Sequence, residues 1–155
     1  MKKNILILII FFITFSNYSF SDNHSSHKKI NVLYFDVVEK ELVMDNTLDL
    51  DIAELIKNNF DNKIKVSGFD GIVKISLFDY NELISTIDNS KKVDLSIQFK
   101  KEIIKQKSQQ KTYQHYGKVN SYGSIEGRFS ISDFEKIKRD VQWELIERIF
   151  QELSN

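Results

Sequence analysis

Apolar and polar positions along this chain follow several distinct patterns, and each pattern predicts an element. Residues 30–38 are apolar and β-branched on both faces, which is typical of a strand that is covered on both sides. A second strand is predicted over 72–80. Over 93–103 apolar and polar side chains alternate, so the third strand should bury one face and expose the other. After a polar connection, a long fourth strand is predicted over 112–131.

A helix is predicted between the first two strands, because apolar residues recur there at spacings of three and four. It covers roughly 49–66, with Asp49 or Asp51 as the N-cap and Gly68 as the residue that stops it. A competing interpretation makes 63–67 a short strand that turns into the next strand.

The last helix is predicted over 133–153, opened by a capping box of Ser132 and Glu135. The element order is therefore β-α-β-β-β-α. It predicts an α+β domain over 30–155, with a single sheet of about four strands and both helices on one face.

Three of the five glycines, Gly117, Gly123 and Gly127, fall on the inward face of the fourth strand. A missing side chain there lets a helix or a ligand approach the backbone, or lets the strand bend.

The N-terminal segment is typical of a secretory signal. Lys2 and Lys3 precede the 11 uncharged residues 5–15, which is well short of the roughly 20 that a membrane-spanning helix needs. Ser19 and Ser21 then give the small-x-small pattern of a cleavage site, so we expect a signal over 1–21, a flexible polar tail over 22–29 and a periplasmic location. The alternative is an uncleaved N-terminal anchor. No membrane span is expected in the mature chain.

Composition excludes several kinds of chemistry. The chain has no cysteine, so disulfides, zinc-thiolate sites and a lipid-modified cysteine are excluded. Without Lys2 and Lys3, 20 basic residues face 22 acidic ones, and this balance gives no electrostatic basis for binding nucleic acid. No glycine-rich phosphate loop is present, and we expect no resident cofactor.

The element order resembles that of small uncharacterised proteobacterial envelope proteins of lipoprotein type. The resemblance is carried by the helix ending near Gly68-Phe69, the long 113–131 strand and the closing helix from Asp133-Phe134-Glu135 to Gln151-Glu152-Leu153. In outline the chain is also similar to the auxiliary lipoproteins of lipid and lipopolysaccharide transport. This chain departs from those families in having no cysteine to lipidate. The resemblance implies an envelope protein, and fold alone does not establish its function.

No catalytic residue is assigned from the sequence. Ser124 lies in Gly-Ser-Ile-Glu-Gly, which is not a nucleophile elbow, and it falls within a strand. His115 is interpreted as a structural histidine on the inward face. The acidic residues Asp45, Asp49 and Asp51 invite a calcium site, but their spacing does not match a calcium loop and helix capping explains at least one of them.

A metal site is predicted at the new N-terminus. Cleavage before Asp22 leaves Asp22, Asn23 and His24 as the first three residues. A free amine, two amide nitrogens and the imidazole of His24 form a square-planar nitrogen set that suits Cu(II) or Ni(II). The alternative is a polar tail that carries a histidine by chance.

Aromatic side chains supply the remaining candidates, which are contacts for a partner protein of the envelope. Tyr116 and Tyr122 should stand on the polar face of the fourth strand, and Trp143 widens the apolar arc of the last helix, either under a loop or at an interface. The preferred prediction is a non-catalytic envelope binding or accessory protein, with a role in outer-membrane or lipid-transport assembly as its specific form. The alternative is a small periplasmic enzyme with an unrecognised carboxylate site.

Overall fold

The computed structural model describes residues 29–105 and 111–155, and these form six strands and two helices. The elements are β1 (Leu33–Phe35), β2 (Glu39–Met44), α1 (Leu50–Lys63), β3 (Ile64–Val66), β4 (Ile72–Ile87), β5 (Ser90–Lys105), β6 (Lys111–Glu126) and α2 (Ile131–Leu153). A four-stranded sheet has the order β2-β4-β5-β6, and β1 and β3 form a separate parallel pair. The predicted α+β class and the two helices are confirmed.

The predicted first strand is two strands. β1 pairs in parallel with β3, whereas β2 pairs in parallel with β4. The chain bends between them at residues 36–38, where the amides of Val38 and Glu39 both donate to the carbonyl of Gly71, at 3.0 and 3.3 Å. Because the two halves pair with different strands, the prediction of a single sheet is wrong in this detail.

The first helix begins as predicted and ends earlier. Asp49 is its N-cap and accepts from the amide of Asp51 at 2.9 Å. The helix ends at Lys63, where Ile64 takes extended geometry and begins β3. The strand interpretation of this segment is therefore correct, and Gly68 does not stop the helix. The ammonium of Lys40 donates to the carbonyls of Phe60, Asp61 and Ile64 at the helix end, at 3.0 to 3.3 Å, and the Phe60 carbonyl also accepts from the amide of Ile64.

The β4–β5 hairpin is longer than predicted because β4 continues beyond Tyr80. The register shifts between Phe78 and Asn81, and Asp79 in this bulge has a φ of 53°. The extra residue reverses the inward and outward alternation along the rest of the strand. β6 ends at Glu126, so Phe129 and Ile131 belong to the connection and to α2.

α2 begins two residues earlier than predicted. Its capping box uses Ser130 as the N-cap and Asp133 at the third helical position, so the predicted pair of Ser132 and Glu135 is wrong. Its predicted core stripe is confirmed except at Ile137, which is only partly buried. The buried apolar residues of α2 are Phe134, Val141, Leu145, Ile146, Ile149, Phe150 and Leu153.

One hydrophobic core lies between the four-stranded sheet and both helices. The sheet contributes Val73, Ile75 and Leu77 from β4, Val93, Leu95, Ile97 and Phe99 from β5, and Val119 from β6; α1 contributes Ile52, Ile56 and Phe60. Both helices therefore cover the same face of the sheet, as predicted. Within 29–105 and 111–155, neither helix is long and apolar enough to cross a membrane.

Candidate functional site

The opposite face of the sheet is polar and carries no helix of the described residues. We call it the open face. Three strands run side by side there, and residues that share a row of the register point to the same side. Its central rows consist of Ser76, Lys100 and Tyr116; Phe78, Gln98 and Lys118; Asn81, Ser96 and Asn120; and Leu83, Asp94 and Tyr122.

Tyr116 and Tyr122 stand on this face as predicted and are its large exposed aromatic side chains, 58% and 67% accessible. Each has a lysine of β5 over its ring. The ammonium of Lys100 lies 5.2 Å from the ring centre of Tyr116, and that of Lys92 lies 5.5 Å from the ring centre of Tyr122. Cation–π contacts of this length hold the rings in place without covering them.

Each of these lysines also pairs with a carboxylate on its own strand. Lys100 lies 2.8 Å from Glu102, and Lys92 lies 3.0 Å from Asp94. Glu102 also accepts from the side-chain amide of Gln114 at 2.9 Å. The hydrogen bond to Glu102 raises the pKa of Lys100 above its ordinary value. The open face thus pairs much of its charge locally, and its exposed apolar area comes from the two tyrosine rings together with Leu83 and Val43.

Trp143 lies on α2 and is partly buried against the core. It therefore does not stand on the open face with the two tyrosines. The structure places the three predicted contact residues on two different surfaces, and the role of Trp143 as a contact stays a prediction.

The residues considered for chemistry have structural surroundings. The imidazole of His115 stacks on the ring of Phe99 with 5.5 Å between centres, on the inward face as predicted. Ser124 is exposed within β6. Asp49 caps α1, and the carboxylate of Asp45 accepts from the Thr47 and Asp79 amides at 3.0 and 3.1 Å. In the described part of the chain, no group of three or more acidic or histidine residues is placed to hold a metal ion.

The predicted N-terminal metal site of Asp22, Asn23 and His24 lies outside the described residues, as do the predicted signal and the polar tail up to residue 28. These remain predictions.

A second polar cluster links the far half of β4 to α2, and the sequence did not indicate it. Glu82 accepts from the hydroxyl of Tyr80 at 3.1 Å and pairs with Lys138 at 2.7 Å. Burial, together with the charge of Glu82, raises the pKa of Tyr80 above its ordinary value. Only the bulge at Asp79 brings Glu82 to the helix side, and a regular alternation would have placed it on the open face. The cluster joins the hairpin to α2.

Comparisons with known proteins find the fold but no family. No family model matches the chain, and no curated protein matches it. Among solved structures it is similar to the rare lipoprotein B of Shewanella oneidensis, at 10% identity and a TM-score of 0.50, over 76% of this chain and 94% of that one. It is equally similar to an uncharacterized lipoprotein B of Nitrosomonas europaea, at 10% identity and a TM-score of 0.50, over 80% and 86%.

These two neighbours share this α+β fold over most of both chains, which confirms the predicted likeness to lipoprotein-type domains of proteobacteria. At such low identity the likeness concerns the fold alone. What the open face can do chemically follows from its own side chains: rigid tyrosine rings with polar tips, flanked by hydrogen-bonding groups, suit the binding of another molecule.

Proposed function

We propose that this protein is a non-catalytic accessory protein of the bacterial envelope that binds a partner protein through its open face. Tyr116 and Tyr122 are the principal contacts. The observation that carries this proposal is the exposure of both rings on a sheet face, each held under a lysine.

The geometry supports a flat contact surface. The two tyrosines lie six residues apart on one strand, which corresponds to about 20 Å along the sheet. Between them stand Lys118 and Asn120, which can hydrogen-bond a partner at the positions between the rings. An interface with aromatic anchors and polar surroundings needs little rearrangement when the anchors are already fixed.

The envelope location is part of the proposal. It is supported by the N-terminal pattern and by the lipoproteins that share the fold. We extend the proposal to assembly at the outer membrane or in lipid transport on the resemblance to auxiliary lipoproteins alone. Fractionation of the bacterial host and N-terminal sequencing should find a periplasmic chain that begins at Asp22. A chain that keeps Met1 and stays with the membrane would instead support the N-terminal anchor.

The same mature preparation tests the predicted metal site. The wild type should take up Cu(II) tightly in one equivalent per chain, and the H24A variant should lose that uptake. Uptake that persists in H24A would reject the site.

The binding face is tested by Tyr116→Ala combined with Tyr122→Ala. The double variant should stay folded and lose roughly 1 to 2 kcal/mol of cross-strand packing. After cross-linking in cells, it should lose envelope proteins that co-purify with the wild type. The matched control replaces Tyr34 and Tyr113, which are 74% and 60% exposed but lie off the open face. An unchanged set of co-purifying proteins in a folded Tyr116/Tyr122 double variant would reject the open face as the binding site.

A further inference from the structure

β6 is a long edge strand. It pairs with β5 along one side, and no strand of the described residues pairs with its other side. Its register with β5 runs without a shift from Ser90↔Glu126 to Lys105↔Lys111. Exposed edges of this length are usually interrupted by charges, proline or bulges, because an unpaired edge recruits other strands. β6 contains no proline and no bulge, and its charged residues are Lys111, Lys118 and Glu126.

The other free edges of the sheet are protected. β2 is six residues long and begins Glu39-Lys40-Glu41. The far half of β4 is separated from the part that pairs with β2 by the bulge at Asp79, which bends the edge. The contrast singles out β6 as the edge that can accept another strand.

The hydrogen bond from the amide of Gly127 to the carbonyl of Asn89, 2.9 Å long, shows which backbone groups of β6 bond to β5 and which point outward, toward the position of a further strand. Gly127 and Asn89 come one position after the last pair of the register, Ser90↔Glu126, and the bond between them makes this position a hydrogen-bonded pair. Such pairs alternate along an antiparallel ladder. Odd-numbered residues of β6 therefore bond to β5, and even-numbered residues from 112 to 126 direct their amide and carbonyl groups away from the sheet.

We propose that a second copy of this chain pairs with this edge, antiparallel to it and about a two-fold axis at Val119, so that two four-stranded sheets become one sheet of eight strands. A symmetric pair of identical edges is the closed arrangement that a self-complementary strand can form.

Three conditions select Val119 as the axis. Two residues that face each other must both be odd-numbered or both be even-numbered. Otherwise the core face of one copy would continue into the open face of the other. Among such registers, those centred on Lys118 or on Val119 overlap the longest part of the strand. A centre at Lys118 would place two ammonium groups directly opposite each other, which disfavours pairing. A centre at Val119 places Lys118 opposite Asn120 of the second copy.

This register also brings the aromatic residues together. Tyr116 of each copy faces Tyr122 of the other, and Tyr113 faces Ile125. Aromatic cross-strand pairs are among the favourable pairs in antiparallel sheets. Because Tyr116 and Tyr122 remain on the open face in either form, the dimer does not depend on the proposed function.

The first test measures the association of the intact protein by sedimentation equilibrium over a wide concentration series. The wild type should be a dimer. The variant Asn120→Pro removes an outward amide without breaking a bond to β5, and it should be a folded monomer. The matched control Asn120→Ala keeps that amide and should stay dimeric. A wild type that is monomeric throughout, or a dimer unchanged by Asn120→Pro, would overturn the proposal.

Charge substitutions at the same position test the register. Asn120→Glu places two carboxylates opposite the two Lys118 ammonium groups and should tighten the dimer roughly two- to thirtyfold. Asn120→Lys should weaken it by a similar factor. If position 120 faced itself instead, both variants would weaken the dimer, and that outcome would overturn the register.

The absence of cysteine allows single spin labels without other changes. In the proposed register, position 124 lies opposite residue 114 of the second copy. The two labels of a Ser124→Cys dimer are therefore about ten residues apart along the strands, which corresponds to a backbone separation of about 34 Å. The absence of any intermolecular distance, or cross-linking of position 120 to a different protein in place of a second copy, would also contradict the dimer.

Discussion

At the residue scale, small side chains of β6 determine how closely α2 approaches the sheet. A methyl group at Gly123 would lie 2.6 Å from Cγ2 of Val141 and 3.0 Å from Cγ2 of Ile137. The neighbouring Ser121 is buried and donates its hydroxyl to the carbonyl of Val141 at 2.8 Å. The strand and the helix backbone are therefore in near contact along this line.

The predicted role of the inward glycines is confirmed for one of the three, because Gly123 leaves room for α2 to approach the strand. Gly117 instead leaves room for the ring of Phe99 on the neighbouring strand, which an added methyl group would overlap. Gly127 was assigned wrongly. It lies beyond the end of the strand at a φ of 80°, and nothing lies within 4 Å of a methyl group placed there. Its backbone conformation, which favours glycine, accounts for its presence.

Replacing Gly123 by alanine should destabilise the protein by about 1 to 3 kcal/mol, because the added methyl group must displace Val141 or the helix. The change Val141→Ala costs about 1 to 3 kcal/mol alone through the lost apolar contacts. Combined, the two should cost less than their sum, since the second removes the atom that the first would meet. Urea unfolding of the wild type, the two single variants and the double variant measures this coupling. If the two costs simply added, the contact between position 123 and Val141 would not limit how closely α2 approaches β6.

At the element scale, the turn between β2 and α1 completes the bulge of β4. β2 ends at Met44, so the next amides of β4 have no neighbouring strand to accept them. The carboxylate of Asp45 accepts from the amide of Asp79, and the hydroxyl of Thr47 accepts from the amide of Tyr80, at 3.1 and 3.0 Å. The acidic residue considered for calcium thus supports backbone that would otherwise lack a partner.

This turn should make the free energy of unfolding depend on pH in the acidic range. The hydrogen bonds to Asp45, led by the hydroxyl of Thr47, hold its pKa below the ordinary 3.8. A lowered pKa in the folded state means that the contribution is complete well above pH 3.8 and is lost as the pH falls through the folded value. Because Asp45 lies at the surface and solvent screens its contacts, we expect Asp45→Asn to cost no more than about 1 kcal/mol near pH 6 and less near pH 3. Urea unfolding across this range measures the difference between the two proteins, and a constant difference would contradict the assignment.

Periodicity predicted those elements whose two faces differ in polarity. The alternation of β5 and the stripe of α2 are of this kind, because burial of one face leaves a direct pattern in the sequence. The break at residues 36–38 was missed because both halves are apolar, and only pairing with different strands separates them. The capping box was placed two residues late because Ser130 with Asp133 and Ser132 with Glu135 have the same spacing. Local sequence does not decide between two such caps.

On the open face, too, the sequence predicts the features of a single strand but not those that depend on strand pairing. Tyr116 and Tyr122 were placed correctly because β6 alternates without interruption. The register that sets Lys92 and Lys100 beside them is a long-range property, which the pattern of one strand does not contain. The Tyr80–Glu82–Lys138 cluster also depends on the bulge, which exchanges the two faces of β4.

At the scale of the whole molecule, one core connects every layer. The buried cluster includes Phe35 from β1, Ile64 from β3, the inward residues of the large sheet and the stripes of both helices. Contacts outside the core add to it: the ammonium of Lys101 on β5 donates to the carbonyl of Leu153 at the end of α2, 2.9 Å away. Partial burial of this ammonium lowers the pKa of Lys101. The small β1–β3 pair therefore shares its apolar contacts with the rest of the molecule and has no separate core.

Unfolding should accordingly be a single cooperative transition at fixed protein concentration. Trp143 is the one tryptophan of the chain and packs against the core from α2, so its fluorescence reports on the helix layer. Far-ultraviolet circular dichroism of this strand-rich chain reports on the sheets as well. In urea the two signals should change together, because loss of either layer exposes the apolar face of the other. The change Phe35→Ala should move both midpoints by the same amount. Because Phe35 is a buried core residue, we expect the change to lower the free energy of unfolding by about 3 to 5 kcal/mol. If the two midpoints separated in that variant, β1 and β3 would form a unit that unfolds independently of the sheet and α2.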